Sequence, residues 1–156
     1  MAVLIGTNNA LIAAGKKISG GEINGRVKVL HESYKFLAEA AVNDEISGPS
    51  LPAGAKVLDA YITSPTLGAT GIFSLGNRAT LGENKSVIAE DADSFVASAD
   101  AGGQAVMARA GISGKEAGIL VRYNGGQETE TFLTCTEATL AAEGETIDYV
   151  IEFTLN

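Results

Sequence analysis

The sequence predicts an all-β protein, a β-sandwich with the jelly roll as a candidate topology, preceded by an extended N-terminal arm. Three observations lead to this fold class. Residues 146–155 alternate apolar and polar side chains, an Asn-Gly pair lies between two strand-like segments, and short strand-like runs alternate with turns along most of the chain. No long segment has the apolar period of a helix, so packed sheets are expected to form the core.

The alternating segment near the C-terminus is the clearest strand signal. One set of positions is apolar: Ile147, Tyr149, Ile151, Phe153 and Leu155. The positions between them are mostly polar: Thr146, Asp148, Val150, Glu152 and Thr154. Because successive side chains of a strand point to opposite faces, the first set predicts a core face and the second a face turned to solvent.

A tight turn is predicted at Asn124-Gly125, within residues 123–127. Asparagine and glycine accept the positive φ angles that two-residue turns between antiparallel strands need. The flanking segments, residues 118–123 and 127–135, are therefore expected to form a hairpin.

Residues 1–25 differ from the rest of the chain and predict an extended arm. Their apolar side chains are interrupted by glycines at positions 6, 15, 20, 21 and 25. The apolar residues of this segment are Val3, Leu4, Ile5, Leu11 and Ile12. A first strand followed by a short helix over residues 9–17 is the alternative. The sandwich domain is then residues 26–156.

The next segments predict strands separated by a turn. Val27 and Val29 alternate with more polar neighbours, and the apolar residues 36–42 extend this strand as a hairpin or a long bend. Residues 48–54 hold two prolines and two glycines, which predicts a turn without regular structure.

Residues 55–64 predict another strand. Leu58, Ala60 and Ile62 are expected on one face, with Val57, Asp59 and Tyr61 on the other. The remaining predicted elements are a turn at 64–68, a strand at 70–75, a loop at 76–86, a brief strand at 87–89, one or two helical turns within 90–101, and a strand at 104–109.

The charge of the chain argues against nucleic acid as a partner. The formal net charge is −8, whereas proteins that bind DNA neutralise phosphates with Lys and Arg. Residues 1–78 hold seven basic and six acidic side chains (+1), and residues 79–156 hold four and thirteen (−9). One half is therefore expected to face an acidic partner and the other half to face water.

Neither secretion nor membrane insertion is predicted. Lys16 and Lys17 follow the apolar N-terminal stretch, whereas a secretory signal places its lysines before it. No apolar stretch approaches the length of a membrane span. We expect a soluble protein that is made in the cytoplasm.

The sequence contains no complete catalytic constellation, so a non-enzymatic protein without a cofactor is expected. His31 is the only histidine, and no nucleophile-elbow motif accompanies it. It is interpreted as an ordinary structural histidine. Cys135 is the only cysteine, which excludes an intrachain disulfide and a zinc-binding cysteine cluster. It is interpreted as a small packed residue.

Two other motifs are incomplete. Glu90, Asp91, Asp93 and Asp100 offer oxygen ligands for calcium, but their order does not match an EF-hand loop, so a solvated acidic turn is favoured. The glycines around Lys115 do not have the spacing of a phosphate loop, and no Ser or Thr follows this lysine. No metal site is predicted.

Several stretches resemble small structural proteins of tailed bacteriophages. They are LPAGAKVLDAYI at residues 51–62, TGIFSLG at 70–76, ADSFV at 92–96 continuing to DAGGQ at 100–104, and LTCTEA at 133–138. The similarity covers about residues 50–155 and carries no catalytic signature. It implies a virion protein, with capsid decoration or cement as the expected role.

The resemblance implies the major capsid protein as the partner and a capsid-surface location, after assembly in the host cytoplasm. We expect homotrimers at local threefold positions, with the less acidic N-terminal part on the shell and the acidic half toward solvent. The expected capsid or subunit contacts are Val3, Leu4, Ile5, Leu11 and Ile12.

Three alternatives stay open. The first is a head-fibre, neck or tail protein of the same virion. The second is a carbohydrate-binding β-sandwich, which the absence of Trp disfavours because sugar rings stack on aromatic platforms. The third is a hydrolase that uses acidic residues, for which the sequence offers no motif.

Overall fold

The computed structural model describes residues 27–68, 70–81, 86–102, 104–110, 122–123, 127–138 and 143–155. The predicted arm at residues 1–25, most of the 118–123 strand and the Asn124-Gly125 turn lie outside these residues. Within them the secondary structure consists of strands, as predicted. No helix in this part of the chain is long and apolar enough to cross a membrane.

Most of the described strands overlap predicted strands, with shifted boundaries. They are β1 (Lys28–Lys35), β2 (Glu45–Leu51), β3 (Ala55–Ser64), β4 (Ile72–Asn77), β5 (Thr80–Leu81), β6 (Val87–Ile88), β7 (Asp91–Asp100), β8 (Val106–Arg109), β9 (Arg122–Tyr123), β10 (Thr129–Glu137) and β11 (Thr146–Leu155).

Two antiparallel sheets form the sandwich. Sheet A has the order β1-β11-β3-β8, with β9 also paired to β3, and sheet B has the order β2-β10-β4-β7. Among the described strands, the first pairs with the last, and the second pairs with the last but one. This nested order is that of a jelly roll, in which eight strands form two four-stranded sheets. The all-β sandwich prediction is confirmed, and the jelly roll is its topology.

The core lies between the sheets. The alternation in β11 is confirmed, because Ile147, Tyr149, Ile151 and Phe153 are buried and the residues between them are half-buried. Sheet B contributes its own apolar side chains from β4, β7 and β10, including Phe73, Leu75, Phe95 and Leu133. Sheet-to-sheet packing of these side chains supplies most of the apolar burial that stabilises the fold.

Tyr149 crosses the core from sheet A to sheet B. Thr131 donates its hydroxyl hydrogen to the Pro49 carbonyl at 2.8 Å. The Tyr149 hydroxyl lies 2.9 Å from Thr131 Oγ1 and must therefore be the donor of that bond. Burial raises the pKa of Tyr149 to about 12. A Cβ at Gly48 would lie 1.4 Å from the Tyr149 hydroxyl oxygen, so β2 needs a glycine at this point.

One predicted face assignment is wrong. In β3, Asp59 pairs with Glu152 and Val57 with Phe153, which leaves Leu58 as an extra residue in a β-bulge. The bulge reverses the alternation, so that Val57 is buried on the same side as Ala60 and Ile62, and Leu58 is half-exposed.

Four segment predictions are also wrong. The predicted loop at 76–86 contains the end of β4 and the two-residue strand β5, which pairs with β6. The residues predicted as helical turns form β7. Asp91 Oδ1 accepts a hydrogen bond from the Asp93 N–H at 3.2 Å, a contact that is typical of turns. Gly48 and Pro49 lie inside β2 because an edge strand tolerates a missing N–H. Residues 36–42 form an irregular connector between β1 and β2 instead of a strand.

Candidate interaction surface

The predicted contact residues Val3, Leu4, Ile5, Leu11 and Ile12 lie outside the described residues, so their role stays a prediction. The described part offers other surfaces: the edges of the two sheets, their outer faces and the connector between β1 and β2. A surface suited to partner binding must expose unpaired backbone groups or apolar side chains.

Among the strands that the structure describes, β1 has the most regular free edge. All eight residues of β1 pair one-to-one with β11, from Lys28 opposite Phe153 to Lys35 opposite Thr146, without a register shift. The strand contains neither Pro nor Gly. No described strand pairs with its other edge. Its backbone N–H and C=O groups on that side can accept another extended segment.

The other edge strands are irregular or short. In β2, Pro49 removes an N–H donor, and the pairing with β10 shifts register between Glu130 and Phe132. In β7, the register to β4 shifts twice, and β8 has only four residues. Bulges, prolines and short length are the features by which natural sheets prevent edge pairing.

The larger β7 irregularity is an arch over β4. Between the pairs Leu75–Val96 and Asn77–Asp91, β7 advances five residues while β4 advances two, which leaves three extra residues in β7. A Cβ at Gly76 would lie 2.0 Å from the Asp91 carbonyl oxygen. The β7 backbone therefore covers β4 at this glycine.

The outer face of sheet A carries paired charges, and the β11 residues on it are half-buried. The His31 ring lies 3.3 Å from an Asp148 oxygen, and the His31 side chain is 55% exposed. Across the same face, Arg109 forms an ion pair with Asp59, which raises the pKa of Arg109 through a hydrogen bond and the neighbouring charge. Arg109 is 60% exposed although Asp59 is only 16% exposed, and ion pairs with a solvent-exposed partner contribute little to folding stability.

The outer face of sheet B is covered by the protein itself. Arg78 lies over the Phe132 ring at 4.0 Å, reaches Glu45 at 2.5 Å and reaches Glu90 at 3.4 Å. Hydrogen bonding to Glu45 raises the pKa of Arg78. Phe132 is consequently buried although it points away from the core. Arg78 thus connects β2, β10 and the segment before β7. Because its contacts are made within the chain, this face is less suited to docking a partner.

The connector between β1 and β2, residues 36–44, is fixed at both ends. Phe36 is buried and exchanges backbone hydrogen bonds with the turn before β11, and Asn43 and Asp44 bond to the backbone of Cys135. Between these anchors Leu37 is 81% exposed and Val42 is 52% exposed. The connector thus presents apolar side chains on a fixed backbone, next to the end of β1.

The chemical candidates from the sequence are not brought together. Cys135 is buried, which agrees with the packed role predicted for it, and its thiol points to the Glu137 carbonyl at 3.1 Å. Among the described residues no three His, Cys, Asp or Glu side chains are grouped to hold a metal ion. The acidic residues from Glu90 to Asp100 are spread along β7 instead of converging on one point.

The described strands do not separate the less acidic half of the sequence from the acidic half. Strands from residues before and after position 78 alternate strictly in both sheets. Within the described residues the two halves of the sequence are therefore interleaved. Whether the N-terminal part faces a partner stays a prediction, because residues 1–26 lie outside the described part. Sequence reasoning also missed the β1 edge, whose one local signal is a lysine at each end, Lys28 and Lys35, as is common on exposed edges.

Comparison with known proteins identifies the fold but no sequence family. No family model and no curated protein sequence matches the chain. Among solved structures, a chain of the cyanophage Pam1 capsid asymmetric unit matches with a TM-score of 0.57 and 19% identity, over 85% of this chain and 86% of that chain. A chain of the capsid of Ralstonia phage GP4 matches with a TM-score of 0.56 and 18% identity, over 85% and 86% of the two chains. At these identities the likeness shows a shared fold.

Proposed function

We propose that this chain is a virion structural protein of a tailed bacteriophage, which binds the outside of the capsid as a decoration or cement subunit. The observation that carries the proposal is the jelly roll that it shares with chains of two phage capsid assemblies over 85% of its length. The resemblance of residues 50–155 to small phage structural proteins agrees with this role. A non-enzymatic function is part of the proposal.

The proposed partner is the major capsid protein, and the proposed state is a homotrimer at local threefold positions. Residues 1–25 act as an arm that buries apolar side chains against the shell or a neighbouring subunit. Each contact need not be strong, because repetition over a symmetric lattice multiplies a modest affinity.

Purified phage particles provide the direct test. We expect mass spectrometry to find the chain in a fixed ratio to the major capsid protein, repeated over the whole shell, and electron microscopy to place it on the outer surface. A copy number that corresponds to a single ring would favour a neck or tail protein, and density at the ends of projecting fibres would favour a head fibre. Either result would contradict the decoration role.

Deletion of residues 1–14 tests the arm. We expect the truncated chain to keep its β-sheet circular dichroism spectrum and to lose binding to isolated heads. Full-length chains provide the matched pair: V3S/L4S/I5S removes apolar surface, and N8S/N9S changes polar residues only. The first variant should lose head binding and the second should keep it. Truncated protein that still decorates heads at full occupancy would refute the role of the arm.

A further inference from the structure

We infer that the free edge of β1 is the docking site for the N-terminal arm of a second copy of this chain, which adds a strand to sheet A. The inference rests on the proposed function in one respect, since it takes residues 1–12 to be an arm that engages a neighbour. It assigns the receiving strand, which the proposed function leaves open.

The choice of β1 follows from a comparison of the four edge strands of the two sheets, β1, β8, β2 and β7. Each of the other three has a device that hinders strand addition: Pro49 and a bulge in β2, two register shifts in β7, and the short length of β8. The β1 strand has eight regularly paired residues and an exposed outer side chain in Val29 at 59%. Strand addition needs such an uninterrupted row of N–H and C=O groups.

The charges at the ends of β1 select among possible partners. If two copies of β1 paired antiparallel along their whole length, Lys28 of each copy would face Lys35 of the other, and like charges directly opposite are destabilising. Residues 1–15 contain no Asp, Glu, Lys or Arg. Residues 1–12 of the arm therefore meet no such side-chain repulsion, and Val3, Leu4 and Ile5 within them are suited to a strand.

The segment directly before β1 is a poor partner for it within the same chain. A tight hairpin turning at positions 25–26 would place Lys16 opposite Lys35 and put Gly20 and Gly21 opposite the middle of β1. Glycine weakens a strand and paired lysines repel. Residues 13–26, by contrast, span up to roughly 45 Å when extended, at about 3.3 Å per residue. That length lets residues 1–12 reach a neighbouring copy.

Disulfide trapping tests the assignment in the full-length chain. One copy carries Ser33→Cys in β1, and the other carries one added cysteine, as Val3→Cys, Leu4→Cys or Ile5→Cys. The native Cys135 is buried and does not compete. We expect a disulfide between the two chains, with positions 3 and 5 reacting alike and position 4 differently, because neighbouring residues of a strand face opposite sides.

The chain offers two matched controls, since exposed serines also lie on the other long edge strands. Ser50→Cys on β2 and Ser98→Cys on β7 should not trap the arm. Equal trapping at either control position, trapping only within one chain, a disulfide between two copies of Ser33→Cys alone, or no trapping at Ser33 would each overturn the assignment.

Hydrogen exchange provides a second readout without new cysteines. Backbone amides of β1 should exchange faster in the chain that lacks residues 1–14 than in the full-length chain, while amides of β2 and β7 should not change. Equal β1 exchange in the two proteins would also overturn the assignment. Head binding measured on the same proteins separates the two proposals: trapping at β1 without head binding contradicts the proposed function alone, and head binding without trapping contradicts this inference alone.

Discussion

The edge strands β1 of sheet A and β2 of sheet B contact each other along one side of the sandwich. Their free edges nevertheless differ in regularity. The β1 strand is regular over eight residues, whereas β2 is interrupted at Gly48 and Pro49. The cause lies across the core. Tyr149 of sheet A projects its hydroxyl against Gly48 and bonds to Thr131, so β2 deforms around this side chain, while the pairing of β1 with β11 stays regular.

The same contrast holds for the outer faces. Sheet B is covered by the β7 arch over Gly76 and by Arg78 on Phe132, while sheet A exposes His31, Val29 and Arg109. The irregularities of β2 and β7 thus hinder strand addition at both edges of sheet B, whereas the regular β1 edge of sheet A lacks such a hindrance. A partner that adds a strand therefore has sheet A available to it.

Among the substitutions that test this contrast, Gly76→Ala should lower the free energy of unfolding most. The new Cβ would lie 2.0 Å from the Asp91 carbonyl oxygen, and backbone cannot move aside as a flexible side chain can. We expect the free energy of unfolding to fall by about 3 kcal/mol, at the upper end of overpacking costs. Urea unfolding at fixed protein concentration measures it.

Gly144→Ala is the matched control for that substitution. No atom lies within 4 Å of a Cβ there, although the φ of +87° is unfavourable for alanine. The cost should be limited to about 1 kcal/mol of backbone strain. Equal losses for the two variants would show that β7 does not press on Gly76.

Substitution of Gly48 by Ala tests the β2 interruption. Its Cβ would lie 1.4 Å from the Tyr149 hydroxyl oxygen and 2.7 Å from the ring carbon Cζ. We expect a loss of about 2 to 3 kcal/mol, because the tyrosine must leave its position. In the double variant G48A/Y149F the oxygen is absent, so the combined loss should be smaller than the sum of the single losses. Strict additivity, measured by urea unfolding, would contradict the contact.

The pKa of Tyr149 predicts a loss of stability in alkaline solution. Burial raises this pKa to about 12, above the ordinary value of 10. Unfolded chains therefore lose this proton first, so the stabilisation is complete below pH 10 and declines as pH rises toward 12. The decline should be about 2 to 3 kcal/mol, at about 1.4 kcal/mol per pKa unit.

Tyr149→Phe removes that ionisation and serves as the control. At neutral pH the variant should be less stable than wild type by about 1 kcal/mol, through loss of the bond to Thr131. Toward pH 12 the difference should shrink or reverse. If the free energies of unfolding of wild type and variant change equally with pH from pH 9 upward, the raised pKa of the buried Tyr149 hydroxyl is contradicted.

The sequence predicted those parts of the fold that depend on local patterns. The period-two alternation from Ile147 to Phe153 identified β11 correctly, and the number of short strands indicated a sandwich. Gly48 and Pro49 were misassigned to a turn, because local rules do not register that β2 is an edge strand or that Tyr149 fills the space beside the glycine. The bulges at Leu58 and in β7 could not be predicted from local rules for the same reason.

The candidate surface was less accessible to sequence reasoning. Whether β1 is an edge depends on the pairing of Lys28 with Phe153, across most of the chain. The charge asymmetry of the sequence does not identify a face of the described sheets for a related reason, because early and late strands alternate in both sheets. Local composition indicates strands well, but the neighbours of each strand are set by contacts between distant residues.

The smallest expected effect concerns the covered face of sheet B, where two neighbouring hydroxyls are buried. Ser74 Oγ and Thr134 Oγ1 belong to a cross-strand pair, and neither has a hydrogen-bond partner within the part of the chain that the structure describes. Leaving a buried hydroxyl unsatisfied costs about 1 to 3 kcal/mol. Thr134→Val keeps the side-chain shape and removes that oxygen, so it should raise the free energy of unfolding by about 1 kcal/mol.

Thr136→Val on the same strand is the matched control. Thr136 is exposed and donates to the Ile72 carbonyl at 3.1 Å, so this variant loses a hydrogen bond and should be slightly less stable than wild type. Urea unfolding of the two variants at one protein concentration compares them directly. Opposite signs are expected because the same substitution removes an unpaired oxygen at position 134 and a paired one at position 136. Destabilisation at both positions would mean that the Thr134 hydroxyl has a partner, and that the outer face of sheet B is not closed in the way its described residues indicate.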